Sequence, residues 1–112
     1  MLMTAIFIFS LAAILGIYLL TFILQNKHTP KGVVFIHGPL AATGLIILII
    51  YAILHSPSPM VSIVLFVLAA LGGIILIGRD ITGKSIPKWL AVGHGLTAIA
   101  GFVCLIIFTF FR

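Results

Sequence analysis

The chain has 112 residues, 63% hydrophobic and 6% charged, with a mean hydropathy of +1.47. A soluble domain carries about 25% charged residues to wet its surface, so six bases and one acid exclude a soluble enzyme, a secreted toxin and a nucleic-acid-binding domain. The net charge of +5 reflects the near-absence of acids, Asp80 alone, and the single Cys104 excludes an internal disulfide framework.

A helix needs about 20 mostly apolar residues to cross the hydrocarbon core. The first run that qualifies is 2–25; it lacks a basic leader and is too long for a signal-peptide core, so it is expected to be a retained span. A polar connection with Lys27, His28, Thr29, Pro30 and Lys31 follows, and then the second run, 33–54. His55-Ser56-Pro57-Ser58-Pro59 leads into the third run, 60–78. A connection with Arg79, Asp80, Lys84 and Ser85 precedes the fourth, 86–111. Backbone polar groups in lipid must be satisfied within the segment, which makes these runs helices. None alternates polar and apolar residues as a barrel strand would. The expected fold is all-α, a four-transmembrane-helix bundle.

The bases set the expected orientation. Lys27 and Lys31 in the first connection, with Arg79, Lys84 and Lys88 around the third, make five against Arg112 alone on the other side. The positive-inside rule then predicts cytoplasmic first and third connections and outer termini, as in a bacterial inner membrane.

An offset of 57 residues aligns the two halves without a gap. Lys27 falls on Lys84, Pro30-Lys31 on Pro87-Lys88, His37-Gly38 on His94-Gly95, Ala41 on Ala98 and Gly44 on Gly101; upstream, Phe9 falls on Phe66 and Gly16-Ile17 on Gly73-Ile74. Leucine matches mean little in so apolar a chain, whereas lysine, proline, histidine and glycine matches at one offset mean more. The reading is two tandem, parallel-repeat helical hairpins, 1–55 and 60–112, joined by a linker at 56–59. Such repeats are related by a pseudo-two-fold axis along the membrane normal, which predicts His37 and His94 at equal depth on facing helices.

Each histidine lies six residues after a lysine, Lys31 or Lys88, or about 9 Å along its helix. An ionisable side chain at that depth is rare and is a functional-site hypothesis by default. Gly38, Ala41 and Gly44 share a helical face with His37, and Gly95, Ala98 and Gly101 share one with His94. Two imidazoles are too few for a zinc site, which takes three or four protein ligands, and Cys104 lies about 15 Å further along its helix. Haem needs only axial ligands from the protein. Diagonal helices of a bundle stand roughly 11–14 Å apart when neighbours pack at about 8–10 Å, a span suited to an imidazole–iron–imidazole sandwich. The expectation is one haem b per chain, with His37 and His94 as axial ligands to the iron. The small residues would flank the ring, and Lys31 and Lys88, with Lys27, Lys84 and Arg79 nearby, would be available to its propionates.

Residues 88–101, Lys88-Trp89-Leu90-Ala91-Val92-Gly93-His94-Gly95-Leu96-Thr97-Ala98-Ile99-Ala100-Gly101, resemble the histidine-bearing helices of the cytochrome b561 superfamily. Lys31-Gly32-Val33-Val34-Phe35-Ile36-His37-Gly38 resembles the same pattern more loosely. The resemblance covers about a third of the chain and implies an intramembrane b-type cytochrome that passes electrons through haem held by facing histidines. Members of that superfamily carry two histidine pairs, one near each membrane face. Here His55 aligns with Arg112, which leaves a single intramembrane pair and a single haem.

Other polar residues have simpler readings. His28 is a solvated loop residue, His55 an interfacial one, Asp80 a local ion-pair partner of Arg79, and Trp89 an interfacial anchor. Phe9 and Phe66 are lipid or core packing. Two further functions compete with the haem reading. In a non-catalytic packing or assembly subunit the histidines would only hydrogen-bond carbonyls. A small transporter resembles this chain in size, but the small multidrug resistance proteins depend on an intramembrane glutamate, and this chain has none. The electron partner of a haem protein here would be a quinone or another redox protein.

Overall fold

The computed structural model describes residues 1–111; Arg112 lies outside the described residues. It contains four helices and, among these residues, no strand: α1 Leu2–Leu24, α2 Lys31–Leu54, α3 Met60–Ile81 and α4 Lys88–Phe111. All four are long and apolar enough to cross a membrane. At 1.5 Å per residue a 24-residue helix is about 36 Å long, enough for a hydrocarbon core of about 30 Å. The chain is an integral membrane protein built as a four-helix bundle, 43 × 21 × 19 Å along its principal axes.

The helix ends differ from the expected boundaries for identifiable reasons. Pro30 and Pro87 each offer a carbonyl to the amides three and four residues ahead, Val33 and Val34 or Leu90 and Ala91. These bonds start α2 at Lys31 and α4 at Lys88. At the other end of each hairpin's first helix, the Lys27 amide donates to Phe22 O and the Asn26 amide to Ile23 O. The Lys84 amide donates to Arg79 O and the Gly83 amide to Asp80 O. This is the Schellman pattern, whose C′ residue must be left-handed. Asn26 (φ 57°) and Gly83 (φ 73°) meet that demand. Helix α3 therefore runs on through Arg79 and Asp80, which the sequence reading placed in a loop.

Consecutive helices pack as hairpins, and α1 also lies against α4 and α2 against α3. This order leaves α1/α3 and α2/α4 as the two diagonals. The core is a narrow column in which Leu48 and Leu105 are both 0% exposed. Phe9 of α1 and Phe66 of α3 meet face to face across one diagonal, ring centres 3.9 Å apart and planes within 2°. Their partners explain why they can: a Cβ on Gly44 would stand 2.9 Å from the Phe9 ring, and one on Gly101 3.3 Å from Phe66 and Leu65. The two glycines assigned from sequence to a cofactor stripe therefore receive phenylalanine rings, and Phe9 and Phe66 are core rather than lipid-facing.

Candidate functional site: a carbonyl-anchored histidine pair

The second diagonal carries the histidines. His37 on α2 and His94 on α4 face each other with ring centres 6.3 Å apart and planes at 86°. Both side chains are half-buried. Neither ring is left to rotate. His37 Nδ1–H donates to the carbonyl of Ala12 at 2.9 Å, and His94 Nδ1–H to the carbonyl of Ala69 at 2.7 Å. A carbonyl can only accept, so Nδ1 carries a proton in both rings. In the neutral imidazole this leaves the lone pair on Nε2.

One helical turn explains each contact. Ala12 and Gly16 are four residues apart on α1, as are Ala69 and Gly73 on α3, so each glycine sits one turn beyond the accepting carbonyl. A Cβ on Gly16 would lie 3.0 Å from His37 Cε1, and one on Gly73 3.1 Å from His94 Cε1. Only glycine lets the ring come this close to the turn whose carbonyl it must reach. Gly72 adds ordinary contact to the His94 ring, 3.7 Å from a built Cβ.

These contacts redistribute the residues expected at the site. His37 and His94 are brought together. Gly38 and Gly95 are not beside them: a Cβ at either would meet nothing within 4 Å, because one residue along a helix turns the side chain by about 100°. Ala41 and Ala98 are half-buried, while Gly44 and Gly101 belong to the phenylalanine stack. Gly16 and Gly73, noted in sequence only as matched positions, are the glycines that touch the rings. Their signal was present but could not be assigned, since the sequence does not reveal which face of α1 meets α2.

The basic end of the bundle is also reordered. Lys31 Nζ reaches Asp80 Oδ1 at 2.7 Å and Thr29 Oγ1 at 2.9 Å, and the Thr29 hydroxyl donates to Asp80 Oδ2 at 2.6 Å. The expected Arg79–Asp80 pair is replaced by this cross-hairpin contact, since neighbours on a helix do not face each other; Arg79 Nε instead donates to Ser85 O at 2.7 Å. The contact places both short basic connections at one end of the bundle. Lys88 is exposed and His28 is exposed, whereas His55 stacks on Tyr51 with ring centres 4.4 Å apart.

Among the described residues no three His, Cys, Asp or Glu side chains converge on one point. Comparison of the chain with family models, with curated proteins and with solved structures finds no match.

Proposed function

We propose that this chain is a b-type haem protein of the membrane, engaged in electron transfer, with one haem held between α2 and α4 by His37 and His94. The observation that carries the reading is the pair of carbonyl-anchored imidazoles with ring centres 6.3 Å apart. A metal–imidazole bond is about 2 Å long, so two rings on opposite faces of one ion have centres roughly 6 Å apart. Two neutral imidazoles would hold a haem, which brings its remaining ligands itself, whereas a bare ion would find only two.

When bound, haem would supply one-electron oxidation and reduction at its iron. The chain's own residues do the rest. The Ala12 and Ala69 carbonyls hold the ring rotations, keep Nε2 as the ligating atom and raise its basicity, as partners behind ligating histidines do. Gly16 and Gly73 keep side chains away from the rings. The phenylalanine stack and the leucines beyond it keep water out of the column. Lys31 and Lys88 stand one and a half turns before the ligands, near enough to the interface to meet propionates, although Lys31 already holds Asp80. A quinone or another redox protein would be the partner. The recurrence of these contacts at positions 57 apart supports a duplicated hairpin. The clustered lysines support a bacterial inner-membrane protein with outer termini and its haem nearer the cytoplasmic face.

The test is the absorption spectrum of protein purified after expression with ample haem. A Soret band and sharp reduced α-band at about one haem per chain are expected. A second reading, a packing subunit, is favoured by the same Nδ1–carbonyl bonds, which a histidine with no ligand would also make. Purified protein without any haem spectrum would leave that reading standing and remove the first.

A further inference from the structure

Between the two basic connections the structure forms a bowl of about 430 Å³. Lys27 and Asn26 line it from one hairpin, Lys84 and Ser85 from the other, with Ile23 and Ile86 as apolar lining, and the Lys31–Asp80 ion pair also lies in its wall. Its charge is unbalanced in a specific way. Asp80 is the chain's only acidic side chain, and Lys31 and Thr29 occupy both of its oxygens. Among the described residues Asp80 is ion-paired with Lys31 and not with Lys27 or Lys84, and each of these two lysines follows the left-handed residue that closes its helix. Two lysines from different hairpins line one cavity, at the end of the bundle where α1 and α3 stop.

We infer that this bowl is a binding site for the phosphate-bearing headgroup of an anionic lipid. Four observations converge on that chemistry. Lys27 and Lys84 supply point charges for a phosphate, and Asn26 and Ser85 supply neutral hydrogen-bonding groups for the headgroup's remaining oxygens. Ile23 and Ile86 suit the start of the acyl region. The volume, finally, falls within the range of about 300–1,000 Å³ typical of small-molecule sites, more than a bare phosphate needs. Basic pockets between the ends of membrane helices are known settings for such headgroups. The inference does not depend on haem, since Lys27 and Lys84 belong neither to the histidine pair nor to its anchors, although the bowl shares Lys31 with the proposed propionate contact.

The test uses the full chain in nanodiscs of phosphatidylcholine with and without phosphatidylglycerol, followed by native mass spectrometry after detergent release. Wild-type protein should retain about one phosphatidylglycerol in preference to phosphatidylcholine. The double variant Lys27→Gln/Lys84→Gln should lose that preference by roughly 30-fold, at about 1 kcal/mol per lysine near a charged surface and tenfold per 1.4 kcal/mol. Lys88→Gln, outside the bowl, should retain it. Equal retention of both lipids, or retention unchanged in the double variant, would overturn the inference. So would binding of soluble glycerol phosphate without phosphatidylglycerol, which would make the bowl a site for a soluble ester. Haem content, read on the same samples, separates the two proposals: a double variant that loses haem while keeping its lipid preference would make these lysines propionate partners and end the lipid assignment.

Discussion

Alanine at Gly16 tests the geometry of the histidine anchor most directly. The new Cβ would stand 3.0 Å from His37 Cε1, against an optimum of about 3.5–4.0 Å between carbon atoms. The ring must therefore retreat by about half an ångström. Retreat from α1 is also retreat from the Ala12 carbonyl one turn away, so the 2.9 Å hydrogen bond lengthens towards the limit of about 3.5 Å beyond which a contact is no longer a hydrogen bond. Overpacking costs about 1–3 kcal/mol, and a lost hydrogen bond about 0.5–1.5 kcal/mol. Gly→Ala also favours the helix by up to about 1 kcal/mol wherever it is made. Gly95→Ala supplies the control, because its Cβ meets nothing within 4 Å and, unlike Gly38, it does not precede a proline, so the helical gain is the same. Gly16→Ala and Gly73→Ala should each be less stable than Gly95→Ala by about 1–2 kcal/mol. Reversible unfolding in mixed micelles, followed by circular dichroism across a titration with sodium dodecyl sulfate, measures both differences. Stabilities equal to within about 0.3 kcal/mol would refute the argument that these glycines exist to admit the rings. Sequence placed Gly95 beside the expected ring, whereas an added Cβ there meets nothing within 4 Å, so Gly95→Ala should leave the histidine pair in place.

Four further outcomes are expected. His37→Ala and His94→Ala should each abolish a six-coordinate low-spin haem spectrum, while His28→Ala and His55→Ala should preserve it, all read as reduced-minus-oxidised spectra at matched protein levels. Asp80→Asn should cost about 1 kcal/mol and less at high salt, because Lys31 is 44% exposed while Asp80 is 13%, which puts the pair between weak exposed ones and buried charge-assisted bonds; the micelle titration repeated at two salt concentrations measures it. Leu48→Ala and Leu105→Ala should each cost about 2 kcal/mol, the low end for a buried leucine, because unfolding in a bilayer does not return the side chain to water. Thiol labelling of Lys84→Cys and Phe111→Cys in a Cys104→Ser background should mark opposite sides of the membrane, with Lys84→Cys on the cytoplasmic side.

The spans were legible because lipid imposes a single solution on a long apolar run, and the four helices fall within a few residues of the sequence reading. Their ends were less legible. Arg79 and Asp80 read as a loop because charge marks a boundary, but the left-handed Gly83 decides where α3 stops. Asn26 does the same for α1 without glycine's signal. The proximity of His37 and His94 was expected from the 57-residue offset, since an axis along the bundle would carry matched helices to facing positions. The choice of glycines did not follow. Helical spacing shows which residues share a face with His37 on α2, but the ring's neighbours come from α1, and no local pattern gives the rotation of one helix against another. Phe9 and Phe66 were ambiguous for the same reason: in a chain with so many apolar residues, a core aromatic and a lipid-facing one look alike until the helices are packed.

The histidine anchors have a consequence for how the site tolerates change. In many metal sites the group behind the ligand is a carboxylate side chain, and its loss by substitution disorients the ligand. Here the group behind each histidine is a main-chain carbonyl, of Ala12 or Ala69, which every amino acid possesses. No replacement at those two positions removes the acceptor itself. Fragility is displaced by one helical turn, onto Gly16 and Gly73, where almost any replacement adds an atom. An inherited record of this site would be written less in its polar residues than in four positions per chain, two histidines and the two glycines that let them lean against a bare helix.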